Sequence, residues 1–559
     1  MSSRRWILFA TSVMTLGCFS DAPNSSGSGE ADTGASAASD DAGASETEGG
    51  GTTAGGASEG ADASSTATAT DGGSEGVDSD AESSEGTEGT TTEGASSGSS
   101  GETGDPVGPD CEVIDCTGDV VWSRRYGNSA PPVSSESVRT LATDPAGNTV
   151  VAGRVHGVAD FGDLGTVEGE GAGFVARVGP DGELLWVHGL FSSGGTHNLE
   201  LRGSAVDDNG NSVIVGAVIG NLTVQGQTFE GNGNWNTPVL RFDADGSLAS
   251  GQVFEYSNQS NSAHAVAIDD DGRVAVGGEF RGGINFGGNQ MSAQGNGPDM
   301  FVAVFDPSAA HLWSRRFGDD ATQVSYGVGF TQGGDVVVSG RNWGTVEFGG
   351  DASHTTTGLS SMVVARLGAD DGEEVWSQQY DLAPGATAAF PRLLATSDAI
   401  YLGTYSGSAD NIEVDFGLGP SEGFFHLVRL DPDGNAQWDR SMTGLRGVLD
   451  MARDTGDGLL VVGNLEGTVD FGDGPLSSAS SDGFLAKYNA QTGALNWARL
   501  ISDDNQQANL QQGLGVGTDA SGHVYVGGSF YGVIDFGDGD LVSGGGFGGS
   551  DGYLAKLMP

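Results

Sequence analysis

One phrase recurs along the second part of the chain, in which a β-branched run, glycine and an Asp-Phe-Gly triplet or a close variant follow one another. It reads VVAGRVHGVADFGD from Val150, LVVGNLEGTVDFGDG from Leu460 and VYVGGSFYGVIDFGDG from Val524. Tryptophans mark the same period at spacings of 64, 127, 63, 62 and 59 residues, with Ser250 midway in the long interval: Trp122, Trp186, Trp313, Trp376, Trp438 and Trp497. Seven repeats therefore run from residue 119 to residue 559.

Each repeat is predicted to form four β-strands. The first ends with an acidic residue, as in VAIDD, and the second is rich in β-branched residues and glycine, as in RVAVGGEF. The third, as in GFVARV, is followed by a tight Asp/Gly turn and a fourth strand that carries the tryptophan. Four-stranded antiparallel sheets repeated around an axis are typical of β-propellers. The sequence therefore predicts an all-β fold, a seven-bladed β-propeller of four-stranded antiparallel blades.

The two ends of the repeat region predict how the ring closes. The region begins with a fourth-type strand, DVVWSRRY, and finishes with a third-type strand, GYLAKLMP, that no fourth strand follows. We expect the Trp122 strand to dock beside residues 552–557 and complete the last blade, because closure removes exposed sheet edges.

One phenylalanine recurs in the loop after the second strand, and we expect it to fill the space between successive blades. It is present in six repeats, as Phe161, Phe286, Phe348, Phe416, Phe471 and Phe536. Repeat 2 reads NLTVQGQT at this place and also lacks the closing tryptophan. Blade 2 is therefore predicted to be the most irregular blade.

The first part of the chain has a different composition. Residues 1–17 place two arginines before the apolar run WILFATSVMTLG, which is typical of an export signal and too short to span a membrane. Residues 18–110 are rich in Ser, Gly and Thr and contain 20 acidic residues, so they cannot bury enough apolar surface to fold and predict a long disordered N-terminal tether. In the short segment 111–118, Cys111 and Cys116 are predicted to form a disulfide in an oxidising compartment.

The charge of the chain excludes one class of partner. The formal net charge is −53, and about −35 of it, from 56 acidic and 21 basic residues, remains without the tether and the signal. Such a surface repels nucleic acid and anionic lipid headgroups. We therefore expect no DNA or RNA partner, no membrane contact other than an N-terminal lipid, and a monomer.

Three stretches resemble known families. TLGC, ending at Cys18, resembles a bacterial lipoprotein signal, although Thr15 stands where such signals usually have leucine. That resemblance implies a lipid on Cys18 and an outer-membrane lipoprotein facing the cell surface or the periplasm; otherwise the protein is secreted. The repeats of 119–559 resemble the SBBP-type bacterial β-propeller repeat, which shares VVVGxFxGxVDFG and FVAKxDxxGxxxW and implies no single activity. NAQTGALNW, from Asn489 to Trp497, is similar to the tryptophan-docking repeat of quinoprotein dehydrogenases.

Acidic turns are the candidates for metal binding. DADG at 243–246, DDDG at 269–272 and DPDG at 431–434 alternate carboxylates as calcium loops do, but further donors and a closing acid do not follow. Because Asp also stabilises turns through its own side chain, no cofactor is predicted, with calcium as the alternative. The acids of the DFGDG phrase are predicted to lie on one rim, either as weak cation sites or as a solvated acidic rim: Asp160, Asp163, Asp470, Asp473, Asp535 and Asp538.

No catalytic residues are predicted. The eight histidines show no metal-ligand spacing: His156, His188, His197, His264, His311, His354, His426 and His523. Four arginines follow a tryptophan by two residues and are interpreted as structural, pairing with an acid or covering the indole: Arg124, Arg315, Arg440 and Arg499. Three residues that interrupt the period, Trp235, Trp343 and Tyr405, are the places where a binding surface is sought first.

Three functions are compatible with these features. The first is a surface-tethered, non-enzymatic module that binds an extracellular protein or polysaccharide, which the predicted anchor, the tether and the lack of a catalytic constellation favour. The second is a propeller enzyme, either a quinone-dependent dehydrogenase or a glycan hydrolase or lyase. The third is a structural envelope protein with no discrete ligand.

Overall fold

A computed structural model describes residues 118–559 except 129–134, 196, 256–258, 383–385, 387, 407–411, 503–510 and 545–548. The predicted signal, lipid site, tether and disulfide therefore lie outside the described residues. Within the described part of the chain, no helix is long and apolar enough to cross a membrane.

Seven four-stranded antiparallel sheets make up the fold, and we call them blades 1 to 7. The fourth strand of blade 7 is β1 (Val120–Tyr126). Blade 1 consists of β2 (Ser135–Thr143), β3 (Thr149–Asp160), β4 (Thr166–Val178) and β5 (Leu184–Ser192). Blade 2 consists of β6 (Leu199–Val206), β7 (Ser212–Ile219), β10 (Trp235–Phe242) and β11 (Leu248–Phe254). Blade 3 consists of β12 (Asn261–Ile268), β13 (Val274–Phe280), β16 (Asp299–Phe305) and β17 (His311–Phe317). Blade 4 consists of β18 (Gln323–Phe330), β19 (Val336–Asn342), β22 (Ser361–Leu367) and β23 (Glu374–Asp381). Blade 5 consists of β24 (Ala388–Ala395), β25 (Ile400–Ser406), β28 (Phe425–Leu430) and β29 (Ala436–Met442). Blade 6 consists of β30 (Leu445–Arg453), β31 (Gly458–Asp470), β32 (Pro475–Asn489) and β33 (Leu495–Ile501). Blade 7 adds β34 (Gln511–Thr518), β35 (Val524–Phe530) and β38 (Asp551–Leu557) to β1.

Short elements occupy the loops between second and third strands. They are β8 (Leu222–Val224), β9 (Gln227–Phe229), β14 (Gly283–Ile284), β15 (Met291–Ser292), β20 (Thr345–Glu347), β21 (Ser353–Thr355), β26 (Ile412–Asp415), β27 (Pro420–Gly423), β36 (Val533–Asp535), β37 (Asp540–Val542) and the 3-10 helix Gly162–Leu164.

The first strands of successive blades contact one another, so these strands line the axis of the ring. We call the face that carries the first-to-second and third-to-fourth turns the turn face, and the opposite face the loop face. The predicted seven-bladed propeller is confirmed.

The ring is closed by the two ends of the described chain, as predicted. Strand β1 pairs antiparallel with β38, with Trp122 opposite Lys556 and Tyr126 opposite Gly552. The fully buried Asp551 carboxylate accepts hydrogen bonds from Arg125 Nη1 at 2.5 Å and from the Gly544 N–H at 2.9 Å. Both strands belong to one sheet with β34 and β35, so the two ends complete one blade.

The recurring tryptophans join each blade to the next. Five indole Nε1 atoms donate to the second residue of the third-to-fourth turn in the following blade at 2.9 to 3.1 Å: Trp122 to Pro180, Trp186 to Ala244, Trp313 to Ala369, Trp376 to Pro432 and Trp438 to Ala490. Trp497 is the exception, since its buried Nε1 has no hydrogen-bond partner among the described residues. Blade 7 has no such turn to offer, because its third and fourth strands, β38 and β1, are not consecutive in the chain.

The recurring phenylalanines fill the same interfaces closer to the loop face. All six phenylalanines are buried. Each described ring contact of these phenylalanines lies either within its own blade or with the fourth strand of the preceding blade. Phe348 lies 4.8 Å from the ring of Phe317, and Phe416 lies 4.9 Å from that of Tyr380. The predicted plug between successive blades is therefore present.

Blade 2 departs from the pattern in the way the sequence predicted. Ser250 lies opposite Arg241 just as Trp186 lies opposite Arg177, so Ser250 does occupy the tryptophan position. In place of the phenylalanine plug, hairpin β8–β9 pairs with the outer strand of blade 1, with Leu190 opposite Val224. The sheet of blade 1 thereby grows to six strands.

The arginines that follow tryptophans bridge blades, as the structural interpretation expected. Arg124 and Arg440 lie over the rings of their own tryptophans at 5.5 and 5.8 Å. Arg440 Nε donates to the Gly493 carbonyl at 2.8 Å, and Arg315 pairs with Glu373 at 2.5 Å. Arg499 donates to the Gly118 carbonyl at 2.8 Å. Each thus contacts the turn of the next blade or the segment that enters blade 7.

We predict that Asp551→Asn loosens the ring where the matched variant Asp299→Asn does not. Asp299 makes the same fully buried pair with Arg316 at 2.5 Å, but inside blade 3 and not across the two chain ends. Both variants should lose about 1–3 kcal/mol of unfolding free energy in chemical denaturation, because each removes a charged hydrogen bond. Only Asp551→Asn should speed tryptic cleavage after Arg124 or Arg125. Equal cleavage rates in the two variants would contradict the role of the Asp551–Arg125 pair in holding β1 in blade 7.

Candidate functional site

Every first strand carries a β-bulge at the same place. In six blades the pairing with the second strand skips one residue at this place: Arg139, Arg202, His264, Tyr326, Leu449 or Leu514. In blade 5 it skips residues 390 and 391, the second of which is Pro391. A bulge bends its strand and redirects a side chain. Proline is tolerated at this position in blade 5 because the extra residue makes no ladder hydrogen bond.

The glycine of the repeated phrase lies opposite this bulge. A Cβ atom on Gly153 would come within 1.9 Å of the Ser137 carbonyl oxygen, and one on Gly528 within 1.7 Å of the Gln512 carbonyl oxygen. A side chain at these positions would therefore force the first strand off the second. This explains the glycine that recurs in the second strand.

Charged and polar side chains converge at the level of the bulges, where each blade brings its innermost strand to the axis. We call them the axial cluster: Arg139, Arg154, Glu200, Arg202, His264, Tyr326, Arg392 and Asp450. Arg392 and Asp450 directly follow the bulges of blades 5 and 6, so they occupy equivalent positions. The cluster brings four guanidinium groups together in a chain with 76 acidic residues against 23 basic ones.

Direct hydrogen bonds hold one side of the axial cluster. Arg202 Nη2 donates to Glu200 Oε2 at 2.7 Å, and Nη1 of the same arginine donates to the Ser262 hydroxyl at 2.6 Å. Arg202 Nη1 also lies 3.0 Å from His264 Nδ1, which accepts in the neutral tautomer. The His264 ring contacts that of Tyr326 at 5.2 Å between centroids.

The other side of the axial cluster holds an arginine with little compensation. Arg392 Nε is buried and has no hydrogen-bond partner among the described residues. The Asp450 carboxylate, the nearest acid to influence Arg392, accepts hydrogen bonds from the Met451 N–H at 2.9 Å and the Val516 N–H at 3.0 Å. Asp450 thus ties blade 6 to blade 7 and lies within electrostatic reach of the guanidinium of Arg392.

The pKa values of the axial cluster are shifted because its side chains are buried and its positive charges lie close together. Burial and the neighbouring Arg154 lower the pKa of Arg139, and burial lowers the pKa of Arg392. Burial together with Arg202 and Arg392 holds the pKa of His264 well below its usual value, so this histidine is neutral. Burial raises the pKa of Asp450 to about 6, even though backbone hydrogen bonds and Arg392 oppose the rise.

An open cavity of about 940 Å³ lies along the axis between the axial cluster and the turn face. Asp450 lines its deep end, where an aliphatic collar includes Leu141, Val266, Val328 and Val516. At the turn face, the mouth of the cavity is lined by acidic residues 269–271 and by Arg273 and Arg453, and Arg273 pairs with Asp269 at 2.7 Å. The volume is within the usual range for ligand sites. The mouth of the cavity therefore carries charges of both signs, with one more aspartate than arginine, and the floor adjoins the axial cluster.

The predicted acidic rim consists largely of turn caps. Asp470 Oδ1 accepts from the N–H groups of Gly472 and Gly474 at 2.8 and 3.1 Å, and Asp535 Oδ1 accepts likewise from Gly537 at 2.7 Å. Asp160 caps its own loop through Gly162, while Asp538 accepts from the Ser123 N–H and helps to hold β1. Asp163 and Asp473 are exposed.

The DDDG and DPDG turns are built in the same way, whereas in DADG the Asp245 Oδ1 accepts from the Ser247 N–H at 2.9 Å. Asp431 Oδ1 accepts from the N–H groups of Asp433 and Asn435, and Asp269 Oδ1 accepts from that of Arg273. These hydrogen bonds match the turn role that was weighed against calcium. Among the described residues, no group of three or more His, Cys, Asp or Glu side chains is arranged to hold a metal ion.

Only some of the residues singled out by sequence meet at the axis. Tyr405 is buried and lies within electrostatic reach of Arg392. Trp343 packs against Arg341 at 3.9 Å, and Trp235 begins β10; neither is part of the axial cluster. Of the eight histidines, His264 alone belongs to it. Cys18, Cys111 and Cys116 lie outside the described residues.

Sequence reasoning missed the arginines of the axial cluster and Asp450. Their signal was present, because aligning the first strands of the repeats places Arg139, Arg202, His264 and Arg392 within one residue of each other. The bulge that brings them to the axis could not be read from the alternation of apolar residues, since an extra residue shifts that alternation.

Comparison with known proteins adds similarities of shape alone. Neither a known protein family nor a curated protein sequence matches the chain. The Dos1 propeller is similar at 10% identity and a TM-score of 0.33, over 78% of this chain and 94% of that one. A quinohemoprotein alcohol dehydrogenase from Comamonas testosteroni is similar at 10% identity and a TM-score of 0.32, over 76% of both chains. A europium-containing methanol dehydrogenase is similar at 10% identity and a TM-score of 0.35, over 79% and 93% of the two chains.

We predict that Asp450 makes the fold less stable at neutral pH than in weak acid. Its folded-state pKa of about 6 exceeds the unfolded value, so folding favours the neutral carboxyl, and the free energy of unfolding gains a contribution as the pH falls from about 7 to about 4. Asp450→Asn removes this titration. We expect chemical denaturation to show a change in the difference between the two proteins. The free energy of unfolding of the variant minus that of the wild type should be about 1–3 kcal/mol larger at pH 7.5 than at pH 4.5. If the difference in unfolding free energy between the two proteins does not change with pH, the raised pKa of Asp450 is contradicted.

Proposed function

We propose that this protein is a non-enzymatic, exported binding propeller whose axial cavity captures the anionic end group of an extracellular polypeptide. One observation carries the proposal: four arginines converge on the axis of a strongly acidic chain, beside a cavity of about 940 Å³. Guanidinium groups bind carboxylates through paired, charge-assisted hydrogen bonds. The low-dielectric walls of the cavity strengthen that attraction.

The charge along the cavity supports a ligand of mixed charge. A polyanion would meet the acidic residues at the mouth before it reached the arginines, and it would be repelled there. A segment with a neutral or basic body and a terminal carboxylate suits both ends, since the mouth attracts the body and the floor attracts the carboxylate. A polypeptide with a free C-terminus has this arrangement.

The test uses the full chain and a short fluorescent lysine- and glycine-containing peptide, prepared once with a free C-terminal carboxylate and once as the amide. We expect the acid to bind at least 10-fold more tightly than the amide in fluorescence anisotropy, because only the acid offers the anionic group to the arginines. Arg392→Gln should remove most of this difference. The matched control is Arg315→Gln, since Arg315 lies at the outside of blade 3 and should leave both affinities unchanged.

Equal affinities for acid and amide would overturn the proposal. Tighter binding of an acidic polysaccharide than of the peptide acid would assign the site to the polysaccharide alternative and would also overturn it. Turnover of an alcohol with a quinone and calcium would favour the dehydrogenase alternative instead.

A further inference from the structure

Within the axial cluster, Asp450 alone lines the axial cavity. Its side chain is partly exposed, and none of the four arginines of the cluster belongs to the lining of the cavity. A ligand that enters from the turn face therefore reaches Asp450 before it reaches Arg392 or Arg202. The group that stands between an anionic ligand and the arginines is thus itself an acid.

The carboxyl group of Asp450 is fixed in this place by backbone hydrogen bonds. Oδ1 accepts from the Met451 N–H at 2.9 Å, and Oδ2 accepts from the Val516 N–H at 3.0 Å. If the side chain turned away from the cavity, both hydrogen bonds would break and the contact between blades 6 and 7 would weaken. An anion can therefore pass Asp450 at lower cost if the carboxyl group loses its charge than if it moves.

Few charged groups act on Asp450 from the strands packed against β30. Strand β24 supplies Arg392, β25 supplies Tyr405 close to Arg392, and β34 has no titratable side chain. On β31, Asp450 lies opposite Val462. The other titratable side chains with described contacts on β30 and these strands are engaged away from Asp450: Arg453 with Asp457, His426 with Asp439, Arg429 with Asp398, Tyr401 with the Ala490 carbonyl and Asp470 with its own loop, while Glu466 is exposed.

An anion on Arg392 would share that guanidinium with Asp450. Two carboxylates that share one site repel each other, so the arrival of the second favours the protonated form of the first. Burial already raises the pKa of Asp450 to about 6 without a ligand, against the effect of Arg392 and of the two N–H groups. The proton that the pair needs is therefore gained readily in weak acid.

We propose that the axial site takes up its anionic ligand together with one proton, which Asp450 holds. This inference rests on the proposed function and adds its regulation, since the ligand is captured in weak acid and released at higher pH. The proton comes from the solvent, stays on a carboxyl oxygen of Asp450 while the ligand is bound, and returns to the solvent when the ligand leaves. Above the pKa of Asp450 in the free protein, the affinity falls by up to about 10-fold for each pH unit.

The test uses the full chain and the fluorescent peptide described above, as the free acid and as the amide, in anisotropy titrations between pH 5 and pH 8. The terminal carboxylate and the lysine keep their charges over this range. We expect the affinity for the acid to fall at least about 10-fold from pH 5 to pH 8, and that for the amide to change less than about 2-fold. Calorimetric titration at pH 7 in two buffers of different ionisation enthalpy should show net proton uptake with the acid.

Asp450→Asn removes both the charge and the proton site. This variant should bind the acid at pH 8 as tightly as at pH 5, and at pH 8 at least about 10-fold more tightly than the wild type does. The matched control is Asp299→Asn, because burial also raises the pKa of Asp299, which pairs with Arg316 and does not line the cavity. Asp299→Asn should keep the pH dependence of the wild type.

Two kinds of failure are distinguishable. An affinity for the acid that does not fall with pH, or Asp450→Asn that keeps the pH dependence of the wild type, would overturn this inference while the preference for acid over amide remained. Equal binding of acid and amide at every pH would overturn the proposed function and this inference with it. Proton uptake is measured on the wild type, so its absence overturns the inference even if Asp450→Asn does not fold.

Discussion

The contact between neighbouring blades is the constraint on which the rest of the structure depends. A four-stranded blade exposes two apolar faces, and it becomes stable only when both are covered by other blades. The tryptophan, its acceptor carbonyl and the phenylalanine plug repeat because each interface must have the same geometry. A ring imposes a further condition, since the last interface has to meet the first. The Asp551–Arg125 pair and strand β1 meet that condition with the two ends of the chain.

The same ring geometry brings charged side chains from different blades together on the axis. Seven first strands approach one another there, and the bulge in each one presents an extra residue at the same level. An apolar residue is sufficient at this place, as Leu449 and Leu514 show. Blades 1, 2 and 5 instead bring arginines, at a cost in desolvation that the lowered pKa values of Arg139 and Arg392 reflect. This crowding of like charge is the observation on which the proposed anionic ligand rests.

Blade 2 shows how a repeat protein acquires a distinct surface without losing its fold. Hairpin β8–β9 replaces the missing plug by covering the outer strand of blade 1, so that interface stays apolar. On the other side of blade 2, Ser250 takes the place of the indole, and Ala309 stands where the turns beside the other indoles have glycine. Loss of one ring from one of seven similar interfaces is tolerated because the other interfaces still close the ring.

The sequence by itself determined the class of fold, the number of blades, the closing strand, the phenylalanine plug and the irregularity of repeat 2. These features depend on period and on residue type, which are visible in one dimension. Only the tertiary structure decided which charged residues meet, because Arg202 and Arg392 come from blades 2 and 5 and approach one another only in the folded ring. It also decided that the bulge turns them to the axis and that the DFGDG acids cap turns. Such outcomes depend on distances between segments, which a repeat pattern does not contain.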